Sequence, residues 1–190
     1  TKLQETLYAK HEIESCGGQG LIIDISTKTL MDAGAAVGPA DILARYGMTW
    51  EEFGPLDKAQ SIETMSNALT AVMPALYAEG LFDAVISIGG GQNARMAAAA
   101  MKSLPFGVPK IVASSLACGR RTMEQYVGDK DIMVVHTVAD ISGLNYTTKT
   151  VIHNVCHAAL GMLQYQRQVT PDSRKKIAAT MLGITSKGVE

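Results

Sequence analysis

The sequence predicts an α/β fold built on a doubly wound parallel sheet, and three observations carry that expectation. The apolar run 83–88 stops on Gly89, Gly90 and Gly91 and leads straight into the Ala-rich segment 92–101. Short β-branched runs alternate with long segments of helical periodicity on either side of it. The connections between them are short and carry glycine or proline. Alternation of this kind places parallel strands side by side under helices, the arrangement of a Rossmann-like domain whose ligands sit beyond the carboxyl ends of the strands.

Each element follows from its own pattern. Thr1-x-x-Gln4 has the form of a capping box, and Leu3, Leu7, Tyr8 and Ile13 continue at helical spacing up to Gly17 and Gly18. Because a strand normally precedes such a cap, the sheet is expected to lack its first strand. Residues 20–25 read as a strand ending at Ser26 and Thr27, residues 28–38 as a loop, and 39–47 as a short helix with Pro39 in its first turn. From 57 to 79 the positions Ile62, Met65, Leu69, Val72, Met73 and Leu76 keep helical spacing despite Pro74, and Gly80 ends the segment. The strand 83–88 and the helix 92–104 follow, closed by Pro105, Gly107 and Pro109. Strands are then expected at 110–113 and 131–136, and a helix at 147–168 with Val151, Ile152, Val155, Ala159, Met162 and Leu163 on one face.

The stretch 170–176 is polar, and 177–185 restarts as a strand with no helix after it. The expected organisation is therefore a domain at 1–170, with 171–190 a linker and the first strand of a truncated second domain.

The strand ends carry the candidate chemistry. A strand that stops on glycines and restarts as a helix turns unpartnered backbone N–H groups outward, and the helix dipole adds positive potential there, so Gly89, Gly90 and Gly91 form a site for an anion, phosphate above all. Gln92 and Asn93 are neutral side-chain donors beside it. Gly89, Gly91 and Ala94 satisfy G-x-G-x-x-A, but the acidic residue about twenty positions on that holds a ribose in dinucleotide sites is replaced by Ser114 and Ser115. No P-loop pattern occurs. Asp24, Ser114, Ser115, Arg120, Arg121 and Asp140 fall at the same predicted edge as additional candidates. Asp24 at a strand end serves either a ribose or its own turn, and serines there serve either a phosphate or a turn.

Composition narrows the partners. The 190 residues are 47% hydrophobic and carry a net charge of −1, with Lys and Arg scattered, so one core is expected and nucleic acid is not a direct partner. Aromatic residues make up 5%, too few for base-stacking platforms. Cys16, Cys118 and Cys156 form no C-x-x-C pair, which fits a reducing, cytoplasmic setting. No apolar run approaches the roughly eighteen residues of a membrane span, and no membrane partner is expected. His153 and His157 stand one helical turn apart without an acid between them, so no metal site is expected from spacing.

Several spaced motifs together resemble one family: Thr1–Lys2 before a helix, Asp24-x-Ser26–Thr27, SIGGGQNA, LPFGVPKIVASS, YVGDKDI, VADISGLN and IAATMLGIT. It is the two-domain family that includes the tomato mosaic virus resistance protein, and the resemblance covers nearly the whole chain in order. It implies a Rossmann-like N-terminal domain that binds ATP, in which the residues matching the family's ATP contacts are Thr1, Lys2, Ser26, Thr27, Lys58 and Gly89 through Asn93. The chain has GGGQNA where the virus-resistance protein has GGSGGT, and Lys58 where that protein has arginine, which keeps charge and loses the two-pronged guanidinium geometry.

The expected function is thus that of an ATP-binding module, with Mg²⁺ as a possible companion, working with a second domain of its own chain and forming a homo-oligomer. The alternative is the phosphate-binding half of an enzyme acting on a phosphorylated or sugar-acid metabolite at an interdomain cleft. Catalytic residues stay unassigned.

Overall fold

The computed structural model describes residues 2–29, 34–118 and 123–165, with the backbone alone at Gln125. Among them lie seven helices and three strands: α1 (Leu3–Ser15), α2 (Pro39–Tyr46), α3 (Trp50–Phe53), α4 (Lys58–Ala78), β1 (Val85–Gly89), α5 (Gly91–Lys102), β2 (Lys110–Ser114), α6 (Glu124–Val127), β3 (Met133–His136) and α7 (Tyr146–Gln164). The strands form one open, all-parallel sheet in the order β1-β2-β3. The expected α/β architecture is present, with helices on both faces.

The alternation of β2 sorts the faces. Val112 points to α5 and joins Ala94, Ala97, Ala98 and Met101, while Ile111 and Ala113 point the other way and join Val155 and Ala159 of α7. Every residue of β2 is buried, as a central parallel strand requires. The alanines of α5 let that helix lie close on the sheet. Its outer residues Met96 and Ala100 meet Met65, Leu69, Val72 and Met73 of α4 and Ile42 and Leu43 of α2, which makes the largest apolar cluster.

On the opposite face α1 lies along α7, with Ala9 against Ile152 and Cys156. Contacts advance in step along the two helices. Lys2 Nζ donates to the Ile141 carbonyl, the Gly143 N–H donates to Glu5 Oε1 at 2.7 Å, and Glu12 meets His153. The helices therefore run parallel. Caps fix the long ones: Asp57 with Gln60 opens α4, Asn145 with Thr148 opens α7, and Gly80 at φ +73° closes the turn after α4.

Three expectations need correction. Residues 20–25 are not a strand of the sheet; they make one isolated parallel bridge, Ile23 with Val37. The cause is local, because Asp24 Oδ1 accepts from both the N–H and the hydroxyl of Ser26 at 2.9 and 2.6 Å and turns the chain away from extension. Ile23 and Ile25 still pack on the α2–α4 cluster. The first helix takes Lys2 as its N-cap with no side-chain capping bond, and Thr1 of the expected Thr1–Gln4 box lies outside the described residues. The short helices α3 and α6 were not expected at all. The linker near Thr170 and the strand at 177–185 lie outside the described residues, as do Thr1, Arg120 and Arg121.

Candidate functional site

The glycine turn joins β1 to α5 as expected, at the carboxyl edge of the sheet. Gly89 ends the strand, Gly90 is the N-cap of the twelve-residue α5 with φ −75° and no side-chain capping bond, and Gly91 is its first residue. The first intrahelical bond runs from the Ala94 N–H to the Gly90 carbonyl at 3.0 Å. The N–H groups of Gly91, Gln92 and Asn93 find no acceptor among the described residues, as an uncapped helix start leaves them.

The three glycines differ in what requires them. A Cβ on Gly89 would stand 2.8 Å from Asn93 Nδ2, and one on Gly91 would stand 2.7 Å from Leu116 Cδ1. A Cβ on Gly90 would meet nothing among the described residues nearer than Asp140 Oδ1 at 3.9 Å. Neither backbone conformation nor packing among the described residues demands glycine at 90.

Lys2 and Asp140 share this edge with the turn. The Asp140 carboxylate faces Gly90, and Lys2 holds the carbonyl of Ile141, the next residue in the chain. Strand register sets Gly89, Ser114 and His136 abreast. Ser114 is fully buried; its hydroxyl accepts from the Leu116 N–H at 3.2 Å and its carbonyl from the Ala117 N–H at 3.1 Å, so it builds its own turn. Ser115 is half-buried beside it. Asn93 points inward, donating to Ser87 Oγ at 2.9 Å, while Gln92 is exposed.

The remaining candidates have surroundings of their own. Asp24 and Ser26 are engaged with each other, Thr27 follows them half-buried, and Lys58 is an exposed residue at the first position of α4. Among the described residues no hydrogen bond or ion pair joins these four to the glycine turn. Sequence reasoning passed over His136, an exposed imidazole at the last position of β3; its signal was its place at the end of the run 131–136.

The loop after β3 is strained. The Ala139 N–H bonds to the Thr137 carbonyl at 2.6 Å around Val138, whose φ is +64°. A β-branched residue takes that conformation only when its surroundings impose it, and such positions cluster at binding sites. Val138 is exposed, so Val138→Asn, a residue that tolerates positive φ, removes no packing. It is expected to raise the unfolding free energy by about 1 kcal/mol in chemical denaturation; a loss of stability would show that no strain resides there.

The fold and the edge it presents are those of an open parallel α/β domain of Rossmann-like class. The model of the uncharacterised protein family UPF0261, N-terminal domain, matches residues 1–168, and the chain belongs to that family. A UPF0261 protein of Clostridium tetani is 30% identical over 190 residues, all of this chain and 46% of that protein. The ToMV susceptible protein tm-1(GCR26) and the ToMV resistance protein Tm-1(GCR237) of Solanum lycopersicum are each 28% identical over 177 residues, 87% of this chain and 23% of theirs. The chain thus spans less than half the length of these relatives, which continue beyond the N-terminal domain. Among the described residues no helix is long and apolar enough to cross a membrane.

Proposed function

We propose that this domain binds ATP through its phosphates at the Gly89–Gly90–Gly91 turn, as the nucleotide-binding part of a two-domain protein. The observation that carries the reading is Gly90: a glycine that packing among the described residues does not need, at the uncapped start of a helix, where a Cβ would stand in the path of an arriving anion. Lys2 at the same edge suits a polyphosphate, and the family resemblance supplies the adenine nucleotide and adds Thr1, Ser26, Thr27 and Lys58 as contacts. Asp140 beside Gly90 fits Mg²⁺, a hard cation that takes carboxylate and phosphate oxygens together and would relieve the repulsion between them.

Thermal and chemical denaturation test the proposal. ATP or ADP at a hundredfold excess over its dissociation constant is expected to stabilise the domain by about 2.7 kcal/mol. Gly90→Val should abolish that gain while costing the unliganded fold about 1 kcal/mol or less, the scale of a weakened N-cap. No shift with nucleotide, or the same shift in Gly90→Val, would overturn the reading.

A second reading, the phosphate-binding half of an enzyme for a phosphorylated or sugar-acid metabolite, gains support from His136. Its imidazole lies in register with Ser114 and Gly89 and is exposed, which suits proton transfer to a ligand held at the turn. Stabilisation by sugar phosphates and not by nucleotides would select it.

A further inference from the structure

On the face opposite α5, the parallel pairing of α1 and α7 builds a second constellation that neither helix shows alone. Glu12 on α1 and Cys16 at its C-cap stand about one turn apart, and His153 and His157 stand one turn apart on α7. Glu12 Oε2 lies 2.8 Å from His153 Nδ1, and Cys16 Sγ lies 3.6 Å from His157 Nε2. One ligand atom each from Glu12, His153 and His157 lie within 4.8 Å of one another, and the two imidazole rings are 4.0 Å apart.

We propose that Glu12, His153, His157 and Cys16 bind one Zn²⁺ between the two helices. The donor set is one oxygen, two nitrogens and one sulfur, which suits a borderline cation of tetrahedral preference and not Mg²⁺ or Ca²⁺, which take oxygen ligands. Tetrahedral bonds of about 2.0–2.3 Å place neighbouring donors about 3.3–3.6 Å apart. The sulfur–nitrogen pair already stands at that spacing. The Glu12–His153 pair opens by roughly half an ångström as the ion takes the place of the shared proton, and the exposed Cys16 side chain swings in toward the group of Glu12, His153 and His157. Binding releases the Cys16 thiol proton to solvent, since the thiolate is the ligand.

The surroundings suit this role. Tyr8 stands one turn before Glu12, and its interaction with that carboxylate pushes the Tyr8 phenol up from its ordinary value. The Glu12 carboxyl is held below its ordinary value, first by the hydrogen bond with His153 and then by that with Tyr8. A hydrogen-bonded carboxylate of this kind is oriented as metal ligands are oriented by their outer partners. His153, His157 and Cys16 are exposed, so an ion reaches them without unfolding the helices, while Cys156 turns away and bonds to the Ala9 carbonyl at 3.6 Å.

The test uses the untagged chain under reducing conditions, titrated with Co²⁺ and then Zn²⁺. One equivalent of Co²⁺ is expected to give the intense visible bands of tetrahedral coordination together with a thiolate-to-cobalt charge-transfer band, both lost when Zn²⁺ displaces it. Cys16→Ser should remove the charge-transfer band, which separates Cys16 from the other two cysteines. His157→Ala should weaken Zn²⁺ binding on the order of 100-fold, with far-ultraviolet circular dichroism unchanged because the side chain is exposed. Zn²⁺ affinity unchanged in the His153→Ala/His157→Ala double variant would overturn the proposal. So would a weak octahedral cobalt spectrum in the parent chain, or a charge-transfer band that survives Cys16→Ser.

Discussion

Asp131→Asn is expected to destabilise the protein by about 3–5 kcal/mol, because it strands a buried charge. Lys110, the first residue of β2, is completely buried. Its ammonium donates to Asp131 Oδ1 at 2.9 Å and to the Pro105 carbonyl at 2.8 Å, and Asp131 Oδ2 accepts from the Gly107 N–H at 2.8 Å. An amide in place of the carboxylate keeps the shape and removes the countercharge. Lys110→Met should cost far less, since Asp131 is partly exposed and can hydrate once its partner is gone. Chemical denaturation at neutral pH measures both, and equal losses for the two variants would show that shape and not charge governs the site.

The same pair sets a pH dependence. Desolvation pushes the Asp131 carboxyl up, but the Gly107 N–H, the Lys110 hydrogen bond and the Lys110 charge together hold it below its ordinary value of 3.8. A carboxyl whose folded pKa is depressed binds fewer protons in the native state than in the unfolded one. Its contribution is therefore complete above that ordinary value and is lost as pH falls through the lower, folded value. The stability of the parent chain should decline steeply below about pH 4, and that of Asp131→Asn should decline less in the same window.

Phe53→Ala carries an expected loss of similar size, about 3–5 kcal/mol. Phe53 belongs to the four-residue α3, which is too short to persist on its own, and it is 1% exposed among Ile42, Leu43 and Met65. Trp50 stands against it at a ring separation of 5.4 Å. The reciprocal bonds of Thr49 and Glu52 cap the turn, yet they are exposed and contribute about 1 kcal/mol at most. The aromatic ring thus fastens the turn to α2 and α4. A loss below about 1.5 kcal/mol in denaturant unfolding would mean that the surrounding side chains collapse into the space and that α3 is held by its cap.

The unit from β1 through α5 to β2 could be read from sequence because each boundary carries its own punctuation: three glycines, an Ala-rich helix, a proline loop. Helices α2, α4 and α7 begin within a residue of the expected places for the same reason. Residues 20–25 could not be read in this way. A β-branched run looks the same whether or not a partner strand accepts it, and only the Asp24–Ser26 turn in the folded chain decides. Helices α3 and α6 have four residues each, less than the periodicity needs.

At the glycine edge the strand-to-helix turn was visible, while the inward aim of Asn93 and the self-contained turn of Ser114 depend on neighbours that sequence does not order. The Glu12–Cys16–His153–His157 group was hidden for a further reason. Its two halves are 141 residues apart, and neither half alone has a ligand spacing that stands out.

That separation bears on the order in which the molecule assembles. The strands β1 and β2 and the helix between them are contiguous, so their contacts close small loops and can form early. The contacts of α1 with α7 close loops of 141 to 147 residues and return a narrow strip of apolar surface, Tyr8, Ala9 and Ile13 with Ile152 and Cys156. Loop-closure entropy then places the docking of α1 after the sheet and α7 are in position. The first of the described helices is in this way the last to find its seat.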